Sequence, residues 1–355
     1  MSRFASEIIL PSGRRLGSAH PSFLIAELSG NHNGRLDRAL SLVRAAKEAG
    51  ADAVKLQTYT ADTLTIDSDQ PFFRISGDNA WKGRTLYDLY QEASTPWEWH
   101  AALFDEARRL GMDVFSTPFD ETAVDFLEEL GASIHKIASF EMTDHELVRR
   151  VAATGKPIIM STGMASLEEI GEAVDVVAST GNKHLILLKC TSAYPSPLAE
   201  MNVRAIPTLS RHFGVPAGLS DHCLTERAAV AAITLGACVI EKHLTLARSD
   251  GGPDASFSLE PAEFHRMVDI IRETELVLGS GTLGAGSTES ANVVFRRSIF
   301  VIKDIGKGEV LTRENVRVIR PGHGLAPKQL DSVLGRKTRR ALIRGTPLSL
   351  DVLEA

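Results

Sequence analysis

Residues 215–243 read VPAGLSDHCLTERAAVAAITLGACVIEKH and contain a complete strand, helix, strand repeat. An apolar run from Val215 ends in the polar residues SDH, a stretch with helical periodicity closes at Gly236, and a second apolar run from Val239 ends in EKH. Short apolar runs that alternate with amphipathic helices predict a parallel sheet covered by helices. Because each run ends in polar residues, we expect chemistry at the carboxyl ends of the strands.

The same repeat occurs eight times in the first 280 residues. The predicted strands begin at Phe23, Ala53, Asp113, Ile134, Pro157, His184, Val215 and Val239. Eight strands that alternate with helices over roughly 250 residues are typical of a (β/α)8 TIM barrel. We therefore predict an α/β fold with a catalytic TIM-barrel domain over residues 1–278. Its polar strand ends form one mouth, since unpaired charges would be costly in a purely structural core.

The chain beyond the barrel changes composition. GSGTLGAGSTES predicts a linker over residues 279–295, and its glycines are not a dinucleotide motif because they follow a helix instead of a strand. Residues 296–355 predict a small β-rich domain with 13 Lys and Arg against 6 Asp and Glu, although the whole chain has a net charge of −6. A solvated basic surface is our first interpretation, and help in holding an anionic substrate is another. Scattered charges with few aromatic residues disfavour a nucleic-acid partner.

The overall composition excludes several classes of protein. With 43% hydrophobic and 24% charged residues, the 355-residue chain is not disordered along its length. The longest uncharged apolar stretch, Ala228 to Ile240, is shorter than the roughly 20 residues that cross a bilayer, so we expect no membrane partner. We see no secretion signal, and the three cysteines lack metal-site spacing. These features predict a cytoplasmic protein.

Two histidines at neighbouring strand ends, His222 and His243, predict a metal site. Two imidazoles with open positions for water and substrate suit Mn²⁺, Co²⁺ or Zn²⁺ better than Mg²⁺. The adjacent Asp221 and Glu241 either orient these imidazoles or cap a turn. We include Asp221 among the catalytic candidates.

Lysines and hydroxyls at other strand ends predict an anion site. Ammonium groups supply charge and hydroxyls supply hydrogen bonds to a phosphate or carboxylate. A Schiff-base lysine, or simple ion pairs with Glu27 and Glu141, remain open as alternatives. Glu27, which ends the first strand, is a candidate general base for water. The candidate anion ligands are Lys55, Thr117, Lys136, Ser139, Ser161 and Ser220.

The motifs resemble the sialic acid synthase family over about residues 20 to 353. In order, they are FLIAELSGNHNG, AVKLQTY, FSTPFD, HKIASFE, MSTGM, LLKCTSAYP, GLSDH and VIEKH. The C-terminal RRSIFVIKDIGKGEVLTRENVRVIRPGHGLAP is similar to that family's antifreeze-like (SAF) domain, which we therefore predict over 296–355. Within the family, AELSGNHNG and KIASFE, in place of AEIGxNHxG and KIGSGE, resemble the pseudaminic acid synthases.

The resemblance implies that phosphoenolpyruvate condenses with an open-chain amino-sugar aldehyde, here 2,4-diacetamido-2,4,6-trideoxy-β-L-altrose, and with water to give a nonulosonic acid and phosphate. It implies a metal on His222 and His243, usually Mn²⁺, with Co²⁺ or Mg²⁺ as alternatives. Glu27 matches the base for water, and the candidate anion ligands match those of phosphoenolpyruvate. Ser192 stands where neuraminate synthases have Asn, and we include it among these ligands.

For the acceptor sugar, the resemblance implies contacts from Gln57, Tyr194 and Asp254. Arg320 matches an arginine that reaches the neighbouring subunit, which implies a domain-swapped homodimer. Ala255 departs from the His that neuraminate synthases often have after GPD, a change compatible with a 6-deoxy sugar. Three alternatives remain: a legionaminate or N-acetylneuraminate synthase with the same mechanism, a Schiff-base aldolase, and a carbohydrate- or ice-binding protein.

Overall fold

The computed structural model describes residues 3–76 and 81–354, and the chain divides into two compact units, Met1–Gly279 and Ser280–Ala355. None of the helices in these described residues has the length and hydropathy of a membrane span.

The first unit contains a closed barrel of eight parallel strands. The last strand pairs with the first, in the register Val239 to Phe23 and His243 to Glu27. Together with the surrounding helices, this arrangement confirms the predicted TIM barrel. The barrel strands are β3 (Phe23–Glu27), β4 (Ala53–Thr58), β5 (Asp113–Pro118), β6 (His135–Ile137), β7 (Ile158–Ser161), β8 (Leu185–Cys190), β9 (Ala217–Asp221) and β10 (Val239–His243).

An antiparallel hairpin of two short strands, β1 (Ile8–Ile9) and β2 (Arg15–Leu16), precedes the barrel. Its residues Ile8 and Leu16 belong to the same buried apolar cluster as Phe23 and Ile25 of β3. The hairpin therefore completes the apolar filling near the start of the strands.

In the part of the first unit that the structure describes, ten α-helices connect or cover the strands. Side-chain caps start several of them; for example, Ser166 and Glu169 form a reciprocal capping box at α7. The helices are α1 (Leu36–Glu48), α2 (Ala61–Leu64), α3 (Leu86–Ala93), α4 (His100–Arg109), α5 (Glu121–Glu129), α6 (His145–Ala152), α7 (Leu167–Ser179), α8 (Ala205–Phe213), α9 (Arg227–Thr234) and α10 (Pro261–Leu278).

Side chains alternate between the two faces of each strand. On β3, Leu24 and Ala26 pack in the apolar layer shared with the helices, whereas Phe23 and Ile25 pack inside the barrel. The next residue of the inward series is Glu27, at the carboxyl end of the strand. The same period of two directs the polar end residues of neighbouring strands toward one another.

The second unit is small and contains a two-stranded antiparallel sheet of β11 (Ser298–Val301) and β12 (Val316–Ile319). Ile299, Val301 and Val316 pack in its own core. The predicted linker includes α11 (Ser287–Ser290) and a 3-10 turn at Ala291–Phe295, and α12 (Leu330–Val333) lies further along. This unit, Ser280–Ala355, includes the small C-terminal domain that the sequence predicted, together with nearly all of the predicted linker.

Candidate active site

The barrel register brings four ionisable side chains together at the carboxyl ends of the strands. Glu27 is the register partner of both Lys55 on β4 and His243 on β10. Glu241 is the partner of Ser220 on β9. Since parallel strands end at the same edge, these residues form the mouth that the sequence predicted.

Lys55 is the centre of a buried ion-pair cluster. Its ammonium group contacts a carboxylate oxygen of Glu27, lies 3.5 Å from Glu241 Oε1, and donates a 3.2 Å hydrogen bond to Thr117 Oγ1. Gln57 Nε2 donates to Glu27 Oε1 over 3.2 Å. The side chains of Glu27, Lys55 and Glu241 are 0%, 5% and 6% exposed, so water screens these interactions poorly.

The pKa values of the two carboxyl groups in this cluster shift in opposite directions. Burial raises the pKa of Glu27, although Lys55 opposes the effect. Burial also acts on Glu241, but the ammonium groups of Lys136 and Lys55 outweigh it, so its pKa lies below the ordinary value. Glu27 is therefore the stronger base and Glu241 the more persistent anion.

Lys136 is the second ammonium group of the mouth. It donates to Ser161 Oγ over 2.7 Å and to a backbone carbonyl over 2.8 Å, and burial lowers its pKa. The backbone N–H of Gly163 donates to Ser139 Oγ over 3.0 Å. A Cβ at Gly163 would overlap the hydroxyl of Ser192 and lie 2.7 Å from that of Ser139. The hydroxyls of Ser139 and Ser192 thus approach the backbone at position 163 so closely that a residue with a side chain would not fit there.

The two predicted metal ligands lie side by side with defined orientations. The imidazole centroids of His222 and His243 are 5.3 Å apart. Nδ1 of His222 is 3.0 Å from the carbonyl oxygen of Thr191, so it donates, and Nδ1 of His243 is 3.2 Å from Ser29 Oγ. The Nε2 atom of His222 thus keeps its lone pair when the ring is neutral.

The donor set at the mouth fits a partly open metal site. Within residues 3–76 and 81–354, no group of three or more His, Cys, Asp and Glu side chains is arranged to hold a metal. The residue types of the pair His222 and His243 fit the predicted site, because two neighbouring imidazoles suit a divalent transition metal and would leave positions for water and substrate.

The structure does not bring Asp221 into this cluster. Its side chain and that of Lys242 are both 0% exposed and form a 2.7 Å ion pair. Its other oxygen accepts a 2.9 Å hydrogen bond from the backbone N–H of Cys223. Asp221 lies between Ser220 and His222, whose side chains point into the barrel. Because side chains alternate along a strand, that of Asp221 lies on the opposite face. This geometry favours turn capping over the catalytic role we predicted.

A cavity of about 430 Å³ opens beside His243. Three of the four predicted sugar contacts, Gln57, Tyr194 and Asp254, line it. The ring of Tyr194 packs 4.5 Å from that of His222 and 5.0 Å from that of Phe257. The fourth residue, Arg320, is exposed in the second unit.

Sequence reasoning considered Glu241 only as an orienter of the imidazoles or a turn cap, and it gave most aromatic residues of the cavity no role. Glu241 lies two residues after Val239 and two residues before His243, so strand alternation places all three side chains on the inward face. This spacing is the signal that could have placed Glu241 in the cluster. The aromatic lining of the cavity gave no comparable signal, because it comes from loops far apart in the chain. That lining includes Tyr59, Trp81, Tyr90, Phe119, Phe140 and Phe257.

The chain is similar to several known proteins. A pseudaminic acid synthase of Campylobacter jejuni is 45% identical over 326 residues, 92% of this chain and 95% of the relative. An N,N'-diacetyllegionaminic acid synthase of Legionella pneumophila is 39% identical over 96% of each chain. The crystal structure of an N-acetylneuraminic acid synthetase from Leptospira borgpetersenii is 30% identical with a TM-score of 0.73, and the alignment covers 82% of this chain and 96% of that one.

Two family models also match the chain. The SAF domain model matches residues 296–354. The NeuB family model matches residues 42–283, which include most of the barrel. The chain therefore belongs to the NeuB family, which confirms the resemblance to sialic acid synthases.

Proposed function

We propose that this chain condenses phosphoenolpyruvate with 2,4-diacetamido-2,4,6-trideoxy-β-L-altrose and water to give pseudaminic acid and phosphate. One observation carries the proposal: a buried site with two lysines adjoins both the histidine pair and a cavity of about 430 Å³. The 45% identity to a protein named pseudaminic acid synthase, against 39% to a legionaminic acid synthase, supports the choice of acceptor.

Phosphoenolpyruvate fits the lysine site because it carries two anionic groups. Lys55 with Thr117 forms one ammonium and hydroxyl pair, and Lys136 with Ser161 forms another. One pair binds the phosphate and the other the carboxylate. The hydroxyls of Ser139, Ser192 and Ser220 supply further hydrogen bonds and hold the enol carbon toward the cavity.

Glu27 acts as the base in the chemical step. Carbon 3 of phosphoenolpyruvate attacks the aldehyde carbon and water adds to carbon 2; the proton that this water loses balances the proton that converts the aldehyde oxygen to a hydroxyl. Glu27 takes the proton of that water, for which burial has raised its pKa. The tetrahedral product at carbon 2 then expels phosphate by cleavage of its carbon–oxygen bond, so water supplies the new oxygen.

His222 and His243 would hold a divalent metal, which we propose is Mn²⁺. When bound, the metal polarises the aldehyde oxygen and makes its carbon electrophilic. Nδ1 of each ring already has a neighbour, Thr191 or Ser29, which holds the ring orientation.

We also propose a domain-swapped homodimer in which Arg320 contacts the acceptor in the partner's barrel. The exposed position of Arg320 and the basic composition of residues 296–355 support this arrangement. Replacing Arg320 with Ala should raise KM for the sugar more than KM for phosphoenolpyruvate. Equal effects on the two KM values would show that this domain does not contribute to the sugar site.

A cytoplasmic location completes the proposal. The three cysteines, Cys190, Cys223 and Cys238, are all free and buried, as expected in a reducing compartment.

The decisive experiment measures phosphate release with Mn²⁺ and three acceptors: the 6-deoxy altrose sugar, its gluco-configured legionaminate counterpart, and N-acetylmannosamine. We expect turnover with the altrose sugar and loss of turnover with EDTA. Preference for another acceptor would move the specificity to a legionaminate or neuraminate synthase. Borohydride trapping of substrate on Lys136 or Lys55 would instead favour a Schiff-base aldolase.

A further inference from the structure

A fully buried ion pair lies on the outer face of the barrel, next to the histidine pair. Lys242 and Asp221 are register partners on β10 and β9, and their side chains are both 0% exposed. They continue the outward series of Ile240 and Leu219, which pack in the apolar layer shared with the helices. The proposed reaction uses neither charge, so the pair needs another explanation.

Stability alone does not explain this ion pair. The removal of two charges from water costs free energy that their mutual attraction only partly offsets. Apolar side chains of similar volume would fill the same layer without that cost. What an ammonium and a carboxylate supply, and apolar side chains do not, is a set of hydrogen bonds to particular backbone groups.

Lys242 directs its ammonium group at the segment that contains His222. It donates to Asp221 Oδ2 over 2.7 Å, to the backbone carbonyl of Cys223, and to that of Thr225 over 3.4 Å. The other oxygen of Asp221 accepts a 2.9 Å hydrogen bond from the backbone N–H of Cys223. Both chain neighbours of His222 are therefore bonded to one buried ammonium group.

These bonds connect the two histidines through their backbones. Lys242 directly precedes His243, and Asp221 directly precedes His222. The hydrogen bonds at each Nδ1 orient the rings, but they do not set the distance between the two chain segments. In the described part of the chain, no third His, Cys, Asp or Glu joins the two histidines in an arrangement that could hold a metal. Since metal–ligand distances vary by only about 0.2 Å, the spacing of these two ligands matters.

We propose that the Lys242–Asp221 ion pair holds His222 and His243 at the separation that a divalent metal requires, and thereby sets the affinity of the chain for Mn²⁺. This inference rests on the proposed function and assigns two positioning residues to its metal site. Both residues act through the histidines, and neither lines the acceptor cavity. Partners of metal ligands typically change metal affinity by about 10- to 100-fold.

The test titrates Mn²⁺ into the metal-free chain by calorimetry, and separately into the phosphate-release assay. The double variant Asp221→Asn/Lys242→Met removes both charges, leaves no unpaired charge buried, and keeps an acceptor for the N–H of Cys223. We expect Mn²⁺ to bind about 10- to 100-fold more weakly, and the Mn²⁺ concentration for half-maximal turnover to rise by the same factor. At saturating Mn²⁺, kcat should approach the wild-type value, and KM for phosphoenolpyruvate should be unchanged.

A purely structural role of the pair predicts a different result. The thermal midpoint and the amount of active protein would fall, while the folded protein would keep the wild-type Mn²⁺ affinity. Asp221→Asn alone preserves the shape of the side chain and is the second variant, which keeps the test decisive where the double variant does not fold. It should weaken Mn²⁺ binding in the same direction.

Lys156→Met is the matched control, because it also removes a lysine from an ion pair. Lys156 lies 2.8 Å from Glu128, just before β7 begins and thus at the opposite end of the barrel from the histidines. This variant should keep the wild-type Mn²⁺ affinity. A folded double variant, or a folded Asp221→Asn variant, with wild-type affinity would overturn the inference alone. A wild-type chain that binds no Mn²⁺ would overturn the proposed metal site, and the inference with it.

Discussion

Phe23 and Glu27 lie four residues apart on the same strand, point into the same barrel and are both fully buried, yet their surroundings are opposite. Phe23 packs with Ile25 and Phe115 in an apolar cluster. Glu27 contacts Lys55 in a cluster of charges. The barrel interior therefore has an apolar lower layer and a charged upper layer.

The two layers contribute different things to the molecule. Burial of apolar side chains stabilises the fold, whereas burial of charges costs free energy that pairing only partly offsets. The raised pKa of Glu27 and the lowered pKa of Lys136 both result from this cost. We infer that the lower layer maintains the barrel and the upper layer performs the reaction.

The largest effect should come from the histidine pair of the upper layer. His243→Ala, and separately His222→Ala, should lower phosphate release by about 1000-fold, because the loss of Lewis-acid catalysis costs several kcal/mol. Calorimetric titration should show weaker Mn²⁺ binding, and the thermal midpoint should fall little. His265→Ala, at an exposed position on α10, is the control. Full turnover in a double histidine variant would disprove the metal assignment.

The next effect tests the base. Glu27→Gln should lower kcat by about 100-fold or more, while phosphoenolpyruvate still binds through the lysines. Because burial raises the pKa of Glu27, the wild-type chain should lose activity as the pH falls through that value and the base becomes protonated. The Gln variant should lack this acidic limb in its pH–rate profile. An unchanged limb would assign the base to another residue.

A change in the lower layer should reduce the stability of the fold and leave catalysis unchanged. Ile25→Ala removes a fully buried side chain two residues below Glu27 and should destabilise the fold by about 2–5 kcal/mol. Denaturant unfolding measures this loss. KM and kcat per folded molecule should remain unchanged at 25 °C. Altered KM for phosphoenolpyruvate would show that the two layers are coupled.

The smallest effect concerns Glu141, which lines the acceptor cavity. Burial raises its pKa to about 7, against the opposing charge of Lys136. The native state therefore binds this proton more tightly than the unfolded state, whose pKa is near 4.5, and the associated stability is lost as the pH rises through 7. Between pH 5 and 8, the thermal midpoint of the wild-type chain should fall about 2–4 °C more than that of Glu141→Gln.

The exposed Glu121, replaced by Gln, is the control for this pH dependence. If the thermal midpoint changed equally with pH in the wild-type chain and in Glu141→Gln, Glu141 would ionise without a loss of stability in the folded protein.

Much of the fold follows from local patterns. All eight predicted barrel strands are present because each is a continuous apolar run between helices, which is typical of a sheet covered on its outer face. The hairpin of β1 and β2 was missed, since two-residue strands carry too few side chains for a periodic signal. Asp221 was assigned to the mouth from its proximity to His222 in sequence, although strand alternation turns adjacent residues to opposite faces.

The sequence by itself determined the barrel, the small C-terminal domain and the identity of the polar residues at the strand ends. Strand periodicity and residue chemistry are local properties, and both can be read along the chain. Only the tertiary structure decided which carboxylate contacts Lys55, how Thr191 and Ser29 orient the two imidazoles, and which aromatic side chains line the acceptor cavity. All of them need neighbouring strands to pair in register, and the contact between Ser29 and His243 also needs the closure of β10 against β3, which joins residues more than 200 positions apart.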